Sequence, residues 1–213
     1  MRHPLRRTFA ILTALLLCSG SVDSVRFALP PPTPLPMLES ADTLFTDDFS
    51  GGLSRWAPDQ PDVWSIQHHM LRADLPDQKQ LRSLIYAGSE DWTDYALDFD
   101  VCMMRGVDKG AVVRIQSQAG VGVDLRGGGY QDVVMYLREW PLGKASVINP
   151  NAAWNHLRIE ARGARFRVFV NGEPCINRLD SRRPQGRIAL AAYTGGVGQC
   201  TVWFDNVRVV RLK

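Results

Sequence analysis

The sequence predicts an all-β domain, and three observations carry that prediction. Apolar and polar residues alternate along Tyr95–Met103, which is the period of a half-buried strand. Breaks that contain glycine, such as Gly127–Gly129, separate short runs rich in β-branched and aromatic residues. No stretch after residue 40 has the period of an amphipathic helix. Many short strands with frequent turns indicate a sandwich or a barrel.

The predicted strands follow one another along the chain with turns between them. After Tyr95–Met103 come Ala111–Ile115, Val121–Leu125, Val133–Leu137, Leu157–Ala161, Phe166–Val170, Arg187–Tyr193 and Thr201–Leu212. Asn171-Gly172 directly follows one of these runs. An Asn-Gly pair between two strands is a strong hairpin signal because both residues tolerate a positive φ. We therefore expect a hairpin at that pair.

The first 24 residues have the layout of a secretory signal peptide. Basic residues open the chain, the apolar segment Phe9–Leu17 follows, and small residues such as Ser21 and Ser24 come next. The apolar segment is too short for a stable membrane span. We therefore expect a secreted or otherwise extracytoplasmic protein. A lipoprotein signal with Cys18 as the lipidated residue is the alternative, but Leu17 stands where a small residue is normal.

A linker is predicted over residues 25–43, and the folded domain over 44–213. Five prolines lie within seven positions between Pro30 and Pro36. Such a run favours extended polyproline II and does not fit a sheet interior. Residues 25–40 are therefore expected to be poorly ordered, with the fold beginning near Leu44.

Charge and cysteine content restrict the partners and the cross-links. Residues 1–24 hold three arginines and one aspartate, so the remaining 22 basic and 21 acidic residues nearly balance. This balance does not favour a nucleic-acid partner. Export permits disulfides, and Cys175 and Cys200 are the expected pair, which leaves Cys102 as a buried free thiol. Three small buried residues without a bridge are the alternative.

Several short motifs together resemble one known superfamily. They are Asp94–Leu97, Gly110–Arg114, Gly129–Val133, Trp154–Ile159, Val168–Gly172, Gly186–Leu190 and Val202–Val207. Their order is similar to that of concanavalin A-like domains over roughly residues 44–212, in particular 3-keto-disaccharide hydrolase-like domains and laminin G-like modules. The resemblance implies a jelly-roll sandwich of two antiparallel sheets, whose concave sheet can hold a saccharide.

Carbohydrate binding is the function that this resemblance implies. We expect Arg114, Tyr130 and Tyr136 to line the concave sheet, with Trp140 at its rim. Aromatic faces suit the apolar face of a sugar ring, and a guanidinium can hold hydroxyls or a carboxylate. The even spacing of the two tyrosines places them on one face of an unbulged strand. Core packing is the alternative for these side chains, and a structural domain in a cell-envelope assembly is a further alternative function.

Glycoside hydrolysis of a 3-keto-disaccharide or a related sugar is the alternative activity. It usually requires two carboxyl groups across the scissile bond. Asp98 and Asp100 share one face of a predicted strand and are the candidate pair, although an exposed sheet surface would also explain them. In the hydrolase-like family a glutamate follows the tyrosine of the Gly-Tyr motif, whereas Gln131 stands here. This departure puts catalysis in doubt.

A structural calcium ion is the one metal that the resemblance implies. Asp205 near the end of the domain and Asp47 or Asp48 near its start are the candidate ligands. Carboxylate oxygens are the donors that calcium prefers. A turn cap is the alternative role for Asp205.

Overall fold

The computed structural model describes residues 42–127, 129–138, 140–147 and 152–213, and these residues form an all-β sandwich. Its strands are β1 (Thr43–Asp47), β2 (Ala57–Pro58), β3 (Trp64–Gln67), β4 (Met70–Leu75), β5 (Arg82–Ala87), β6 (Tyr95–Gly106), β7 (Asp108–Gln116), β8 (Ala119–Arg126), β9 (Asp132–Leu137), β10 (Trp140–Ser146), β11 (Trp154–Arg162), β12 (Arg165–Val170), β13 (Glu173–Leu179), β14 (Arg187–Tyr193) and β15 (Cys200–Arg211). One turn of 3₁₀ helix spans Pro61–Val63. Within these ranges the structure contains no helix with the length and apolar character needed to cross a membrane.

The predicted N-terminal segments fall almost entirely outside the described residues. This holds for the signal peptide, for Cys18 and for all but the last two residues of the linker. Strand β1 begins at Thr43, one residue before the predicted start of the domain.

Two antiparallel sheets make up the sandwich. The eight-stranded sheet has the order β13-β12-β11-β6-β15-β4-β3, and β1 also pairs with β15. The seven-stranded sheet has the order β10-β9-β8-β7-β14-β5-β2. The prediction of a two-sheet antiparallel jelly roll is therefore confirmed, and the barrel alternative is wrong.

The predicted hairpin at Asn171-Gly172 joins β12 to β13. Their φ values are 52° and 84°. Val170 and Glu173 pair directly on either side of the turn. The turn thus uses two left-handed residues, which matches the twist of the flanking strands.

The core lies between the sheets and follows the alternation of the strands. Leu97, Phe99 and Val101 of β6 point inward, towards the inward face of β7 in the other sheet. The indole Nε1 of Trp64 donates to the hydroxyl of Ser83 across the interior at 2.8 Å, so a buried donor is satisfied. Because the inward residues are fixed by burial, the residues between them are turned to the outer faces, where a ligand can reach them.

The expected bridge between Cys175 and Cys200 does not form. All three described cysteines are free, and Cys102 is buried as predicted. Cys175 is on β13 and Cys200 is on β15, four strand positions apart in the same sheet. At about 4.8 Å per strand the two lie roughly 19 Å apart, which no disulfide can span. The prediction was wrong because Cys175 and Cys200, although both near the C-terminus of the sequence, lie on strands that are far apart in the sheet. Strand β13 is at the sheet edge, whereas β15 is in its interior.

Candidate functional site

The outer face of the seven-stranded sheet has a floor of small side chains. Val121 and Val123 of β8 point into the core, so Gly120 and Gly122 lie on the outer face. The depression above this floor, which we call the groove, has a volume of about 740 Å³. Its lining residues are Arg82, Leu84, Val112, Ile115, Gln116, Ser117, Gln118, Ala119, Gly120, Gly122, Tyr136, Arg138 and Arg183.

Tyr136 lies flat across the groove floor because its neighbour on β8 has no side chain. Gly122 and Tyr136 are paired across β8 and β9. A Cβ built on Gly122 would stand 2.2 Å from Cζ of Tyr136, far inside van der Waals contact. The ring therefore occupies the space that any other residue at position 122 would need.

Asp124 is the buried carboxyl of this face, two residues after Gly122. It is 7% exposed and accepts a hydrogen bond from the hydroxyl of Tyr136. Burial, and secondarily the nearby carboxylate of Asp108, raise the pKa of Asp124 to about 7. A carboxyl group with such a pKa can take up or release a proton near neutral pH. The positive charge of Arg82 opposes this increase in pKa.

Trp140 lies beside the groove and is one of the most exposed aromatic side chains in the described residues. Its side chain is 68% exposed at the start of β10. A second, smaller cavity of about 230 Å³ is lined by Leu137, Arg138, Trp140, Arg182 and Arg183. Because Arg138 and Arg183 line both cavities, Trp140 stands at one end of the groove.

The structure places Arg114 inside the protein and not on the sheet surface. The pairing of β7 with β8 skips from Val113 to Gln116, so Arg114 sits in a β-bulge with a φ of 54°. This bulge shifts the alternation, and Ile115 takes the outward place. The side chain of Arg114 is completely buried, so it has no surface with which to contact a saccharide.

Arg114 instead anchors the connection between β13 and β14. Its guanidinium donates to the carbonyls of Arg183, at 3.0 Å, and of Pro184. It lies between the rings of Tyr95 and Phe166, at 5.9 and 5.7 Å from the centroids. A buried cation with carbonyl and aromatic partners fixes the loop that carries Arg183 into the groove.

Tyr130 and Tyr136 do not share a face. Gln131, with a φ of 45°, interrupts the extended backbone between them, and β9 begins only at Asp132. Tyr130 is 57% exposed and stacks on Arg126, with the guanidinium carbon 4.4 Å from the ring centroid. Tyr130 lines a depression other than the groove, with a volume of about 960 Å³. Gln131, Trp154, Asn155 and Asn171 also line this depression. The structure thus brings Tyr136 and Trp140 to one groove and leaves Tyr130 and Gln131 outside it.

Asp98 and Asp100 lie together on the outer face of the eight-stranded sheet, opposite to the groove. His156 sits between them, with Nδ1 2.8 Å from Asp100 and Nε2 3.4 Å from Asp98. Arg158 donates to Asp98 at 2.6 Å, and Asn206 donates to Asp100 at 2.7 Å. The two carboxylates share a face as expected, but each is engaged in a network of neighbouring side chains. They contribute no carboxyl group to the groove.

The His156 network predicts a loss of stability in alkaline solution. Hydrogen bonds to Asp100 and Asp98 raise the pKa of His156 to about 9. Protonated His156 therefore stabilises the folded state. This contribution is complete below about pH 6.5, the pKa of histidine in the unfolded chain, and it disappears as the pH rises through about 9. Between pH 6 and 9.5, we expect the free energy of unfolding of the wild type, measured in urea, to fall by about 1–2 kcal/mol more than that of His156→Gln. The difference is no larger because this partly exposed group is screened by solvent. Equal losses in both proteins would contradict this role of His156.

The aspartates proposed for calcium do come near one another, but their oxygens have other partners. Asp47 accepts from the main-chain N–H of Phe49 at 2.8 Å and from the indole of Trp56 at 3.0 Å. Asp205 accepts from the N–H of Asn206 at 2.8 Å, and burial with the nearby carboxylates of Asp100, Asp48 and Asp47 raises its pKa to about 6. Over the described ranges, no group of three or more His, Cys, Asp or Glu residues is placed to hold a metal ion.

Sequence reasoning missed the groove residues Arg82, Gly122, Arg138 and Arg183, and the buried Asp124 beneath the groove. The alternation of Val121–Leu125 was visible, and it already placed Gly122 and Asp124 on the opposite face from the valines. A glycine two residues before an aspartate, both on the outer face of a central strand, is the sequence feature that could have indicated the groove. Nothing in the sequence around Arg82 indicated that β5 joins this sheet.

Comparisons with known proteins agree with the fold. No curated protein sequence matches the chain. A carbohydrate-binding module, CBM66 from Bacillus subtilis, has 16% identity and a TM-score of 0.63, covering 75% of this chain and 97% of the module. A Bacillus subtilis protein of unknown function with a galectin-like fold has 8% identity and a TM-score of 0.64, covering 81% of this chain and 97% of that one.

The lumenal domain of VIP36, in its form bound to Ca²⁺ and Man3GlcNAc, has 12% identity and a TM-score of 0.63, covering 79% of this chain and 88% of that one. At these identities the likeness concerns the fold. The sequence itself matches a family over residues 43–210, which includes every strand described above except the last residue of β15. The expected resemblance to 3-keto-disaccharide hydrolase-like domains is thereby confirmed, whereas that to laminin G-like modules stays a prediction. The chain belongs to the family of 3-keto-alpha-glucoside-1,2-lyase-like domains.

Proposed function

We propose that the protein binds a saccharide in the groove on the outer face of the seven-stranded sheet. The observation that carries this proposal is the combination of a floor of small residues with an aromatic ring lying on it. Gly120 and Gly122 leave the floor open, and Tyr136 presents a flat surface above Gly122. The volume of about 740 Å³ is in the range of small-ligand sites.

Trp140 supplies a second aromatic surface at the end of the groove. An exposed indole offers an apolar face on which the apolar face of a sugar ring can stack. Arg138 and Arg183, between Tyr136 and Trp140, offer donors for sugar hydroxyls. Carbohydrate-binding and lectin domains with the same fold support this proposal by analogy.

The expected result is saccharide binding that depends on Trp140 and not on Tyr130. The full chain would be screened on a glycan array, and the best soluble oligosaccharide titrated by calorimetry. We expect Trp140→Ala to weaken binding by about tenfold or more, because a stacking surface is lost. Tyr130→Ala is the matched control, since it removes another largely exposed ring from a different depression. Equal weakening by both changes, or by neither, would place the site elsewhere.

Cleavage of a 3-keto sugar is the second candidate function, and Asp124 is the observation that favours it. The ketone of a 3-keto-glucoside makes the hydrogen on C2 acidic, so a base can remove that proton as the C1–O bond breaks. The electron pair of the C2–H bond then forms a C1=C2 double bond, and the departing oxygen takes up a proton from water and leaves as an alcohol. Asp124, with a pKa of about 7, lies beneath the groove and would accept the proton through the hydroxyl of Tyr136, which lines the groove and donates to it. Arg82, which also lines the groove, would stabilise the negative charge on the ketone oxygen. Asp124→Asn should abolish cleavage of a 3-keto-α-glucoside while keeping its binding. Unchanged cleavage in that variant would exclude Asp124 as the base.

Three further assignments are proposals of the same kind. Residues 1–24 as a signal peptide and 25–43 as a linker would make this a secreted or envelope-associated protein with one domain over 44–213. A structural calcium near Asp47, Asp48 and Asp205 has support from their mutual closeness and from the Ca²⁺-bound form of VIP36. A calorimetric titration with calcium chloride that gives no heat would remove the calcium proposal.

A further inference from the structure

Three arginines line the groove, and no carboxylate among the described residues lines it with them. Arg82 comes from β5, Arg138 follows β9, and Arg183 lies between β13 and β14. The neutral polar side chains Gln116 and Gln118 complete one wall. The groove therefore presents a concentration of positive charge in a protein whose total charge, without residues 1–24, is close to zero.

Several arginines elsewhere on the outer faces are paired with a carboxylate. Arg126 is paired with Asp132 at 2.6 Å, Arg158 with Asp98 at 2.6 Å, and Arg105 with Asp77 at 2.9 Å. Among the described residues, none of the three groove arginines forms an ion pair with a carboxylate. Three unpaired guanidinium groups around one depression repel one another, and an anion between them would remove that cost.

The acidic side chains near the groove arginines have other partners. Asp180, whose pKa is lowered by hydrogen bonds from Arg182 and also by the charge of Arg183, is ion-paired with Arg182 and does not line the groove. Glu90 faces Arg187 at 3.8 Å and accepts from the main-chain N–H of Ser117 at 3.3 Å, and it does not line the groove. Asp124 lies beneath Tyr136 with only 7% of its surface exposed. None of these carboxyl groups therefore occupies the space between the arginines.

The backbone holds one of these arginines in place. The carbonyl of Arg183 accepts a hydrogen bond from the buried guanidinium of Arg114 at 3.0 Å. Over the described ranges the buried Nε of Arg183 has no hydrogen-bond partner. A buried donor without a partner costs free energy, so turning the Arg183 side chain towards a bound anion would offset that cost.

We propose that the groove binds an acidic saccharide, whose carboxylate or sulfate group lies between Arg82, Arg138 and Arg183. This inference rests on the proposed saccharide-binding function and names its ligand class. Planar guanidinium groups match the oxygen geometry of carboxylate and sulfate, and two or three of them around one anion discriminate against neutral sugars. The aromatic surfaces of Tyr136 and Trp140 would hold the adjoining sugar ring.

The test compares charged and neutral forms of the same sugar with the full chain in calorimetry. One arm uses a galacturonic acid tetramer and its methyl ester, and the other uses a sulfated galactan oligosaccharide and its desulfated form. The expected result is at least tenfold tighter binding of one charged form over its neutral partner. The arm that shows the difference identifies carboxylate or sulfate as the anion.

Variants separate specific recognition from general attraction of anions. Arg82→Gln and Arg183→Gln should each remove most of the preference for the charged form. Arg105→Gln, on the eight-stranded sheet, should leave it unchanged. Equal loss in all three variants would overturn the proposal in favour of non-specific attraction. Binding of neutral sugars that depends on Trp140 without preference for the charged forms would overturn this inference alone. No binding of any saccharide would overturn the proposed function as well.

Discussion

Replacing Arg114 with methionine is expected to destabilise the domain by about 3 kcal/mol, which corresponds to roughly 6–12 °C in the melting temperature of a domain of this size. The change leaves the carbonyls of Arg183 and Pro184 without their donor at a partly buried place, and it leaves Asp94 without its ion-pair partner. It also removes the cation from between the rings of Tyr95 and Phe166. Thermal unfolding and urea titration of the full chain measure the effect.

Two further variants identify the cause of the Arg114 effect. Arg114→Lys keeps the charge but has no planar fork for two carbonyls, so we expect an intermediate loss. Arg105→Met is the matched control, because its ion pair with Asp77 is exposed on both sides and contributes little. If Arg114→Met were as mild as Arg105→Met, the anchoring role of Arg114 would be wrong.

Replacing Gly122 with alanine is expected to damage the groove more than the fold. The added methyl group would stand 2.2 Å from Cζ and 2.6 Å from the hydroxyl of Tyr136, so the ring must leave its place on the floor. We expect saccharide affinity to fall by tenfold or more, with a loss of about 1–3 kcal/mol in folding stability from overpacking. Calorimetry and urea unfolding measure the two effects separately.

Gly196→Ala is the control for this change. Nothing lies within 4 Å of a Cβ built at Gly196, so the same methyl group meets open space there. It should alter neither affinity nor stability beyond experimental error. Unchanged affinity in Gly122→Ala would mean that the position of Tyr136 has no part in binding.

Several strands were predictable from the sequence because apolar side chains that face the core alternate with polar ones along them. Tyr95–Met103 and Leu157–Ala161 reappear as parts of β6 and β11, and Asn171-Gly172 is the turn that the chain needs there. Local signals of this kind depend on residues next to one another in the chain. They are therefore present in a single sequence.

The site was less predictable because it depends on interruptions of that alternation and on strand order. The bulge at Arg114 moves one side chain from the outer face to the interior, and the left-handed Gln131 separates Tyr130 from Tyr136. Arginine and glutamine rarely adopt a positive φ, so neither residue indicates this conformation in the sequence. The convergence of Arg82, Arg138 and Arg183 comes from three distant segments that meet only once β5, β9 and β14 lie in one sheet.

The most direct test of the central claim is a crystal structure of the full chain with the oligosaccharide that binds most tightly. We predict a sugar ring on Tyr136 above Gly122, with its neighbouring units between Arg183 and Trp140. Density for the sugar in the depression around Tyr130 and Trp154, or beside His156 on the eight-stranded sheet, would contradict the assignment of the groove.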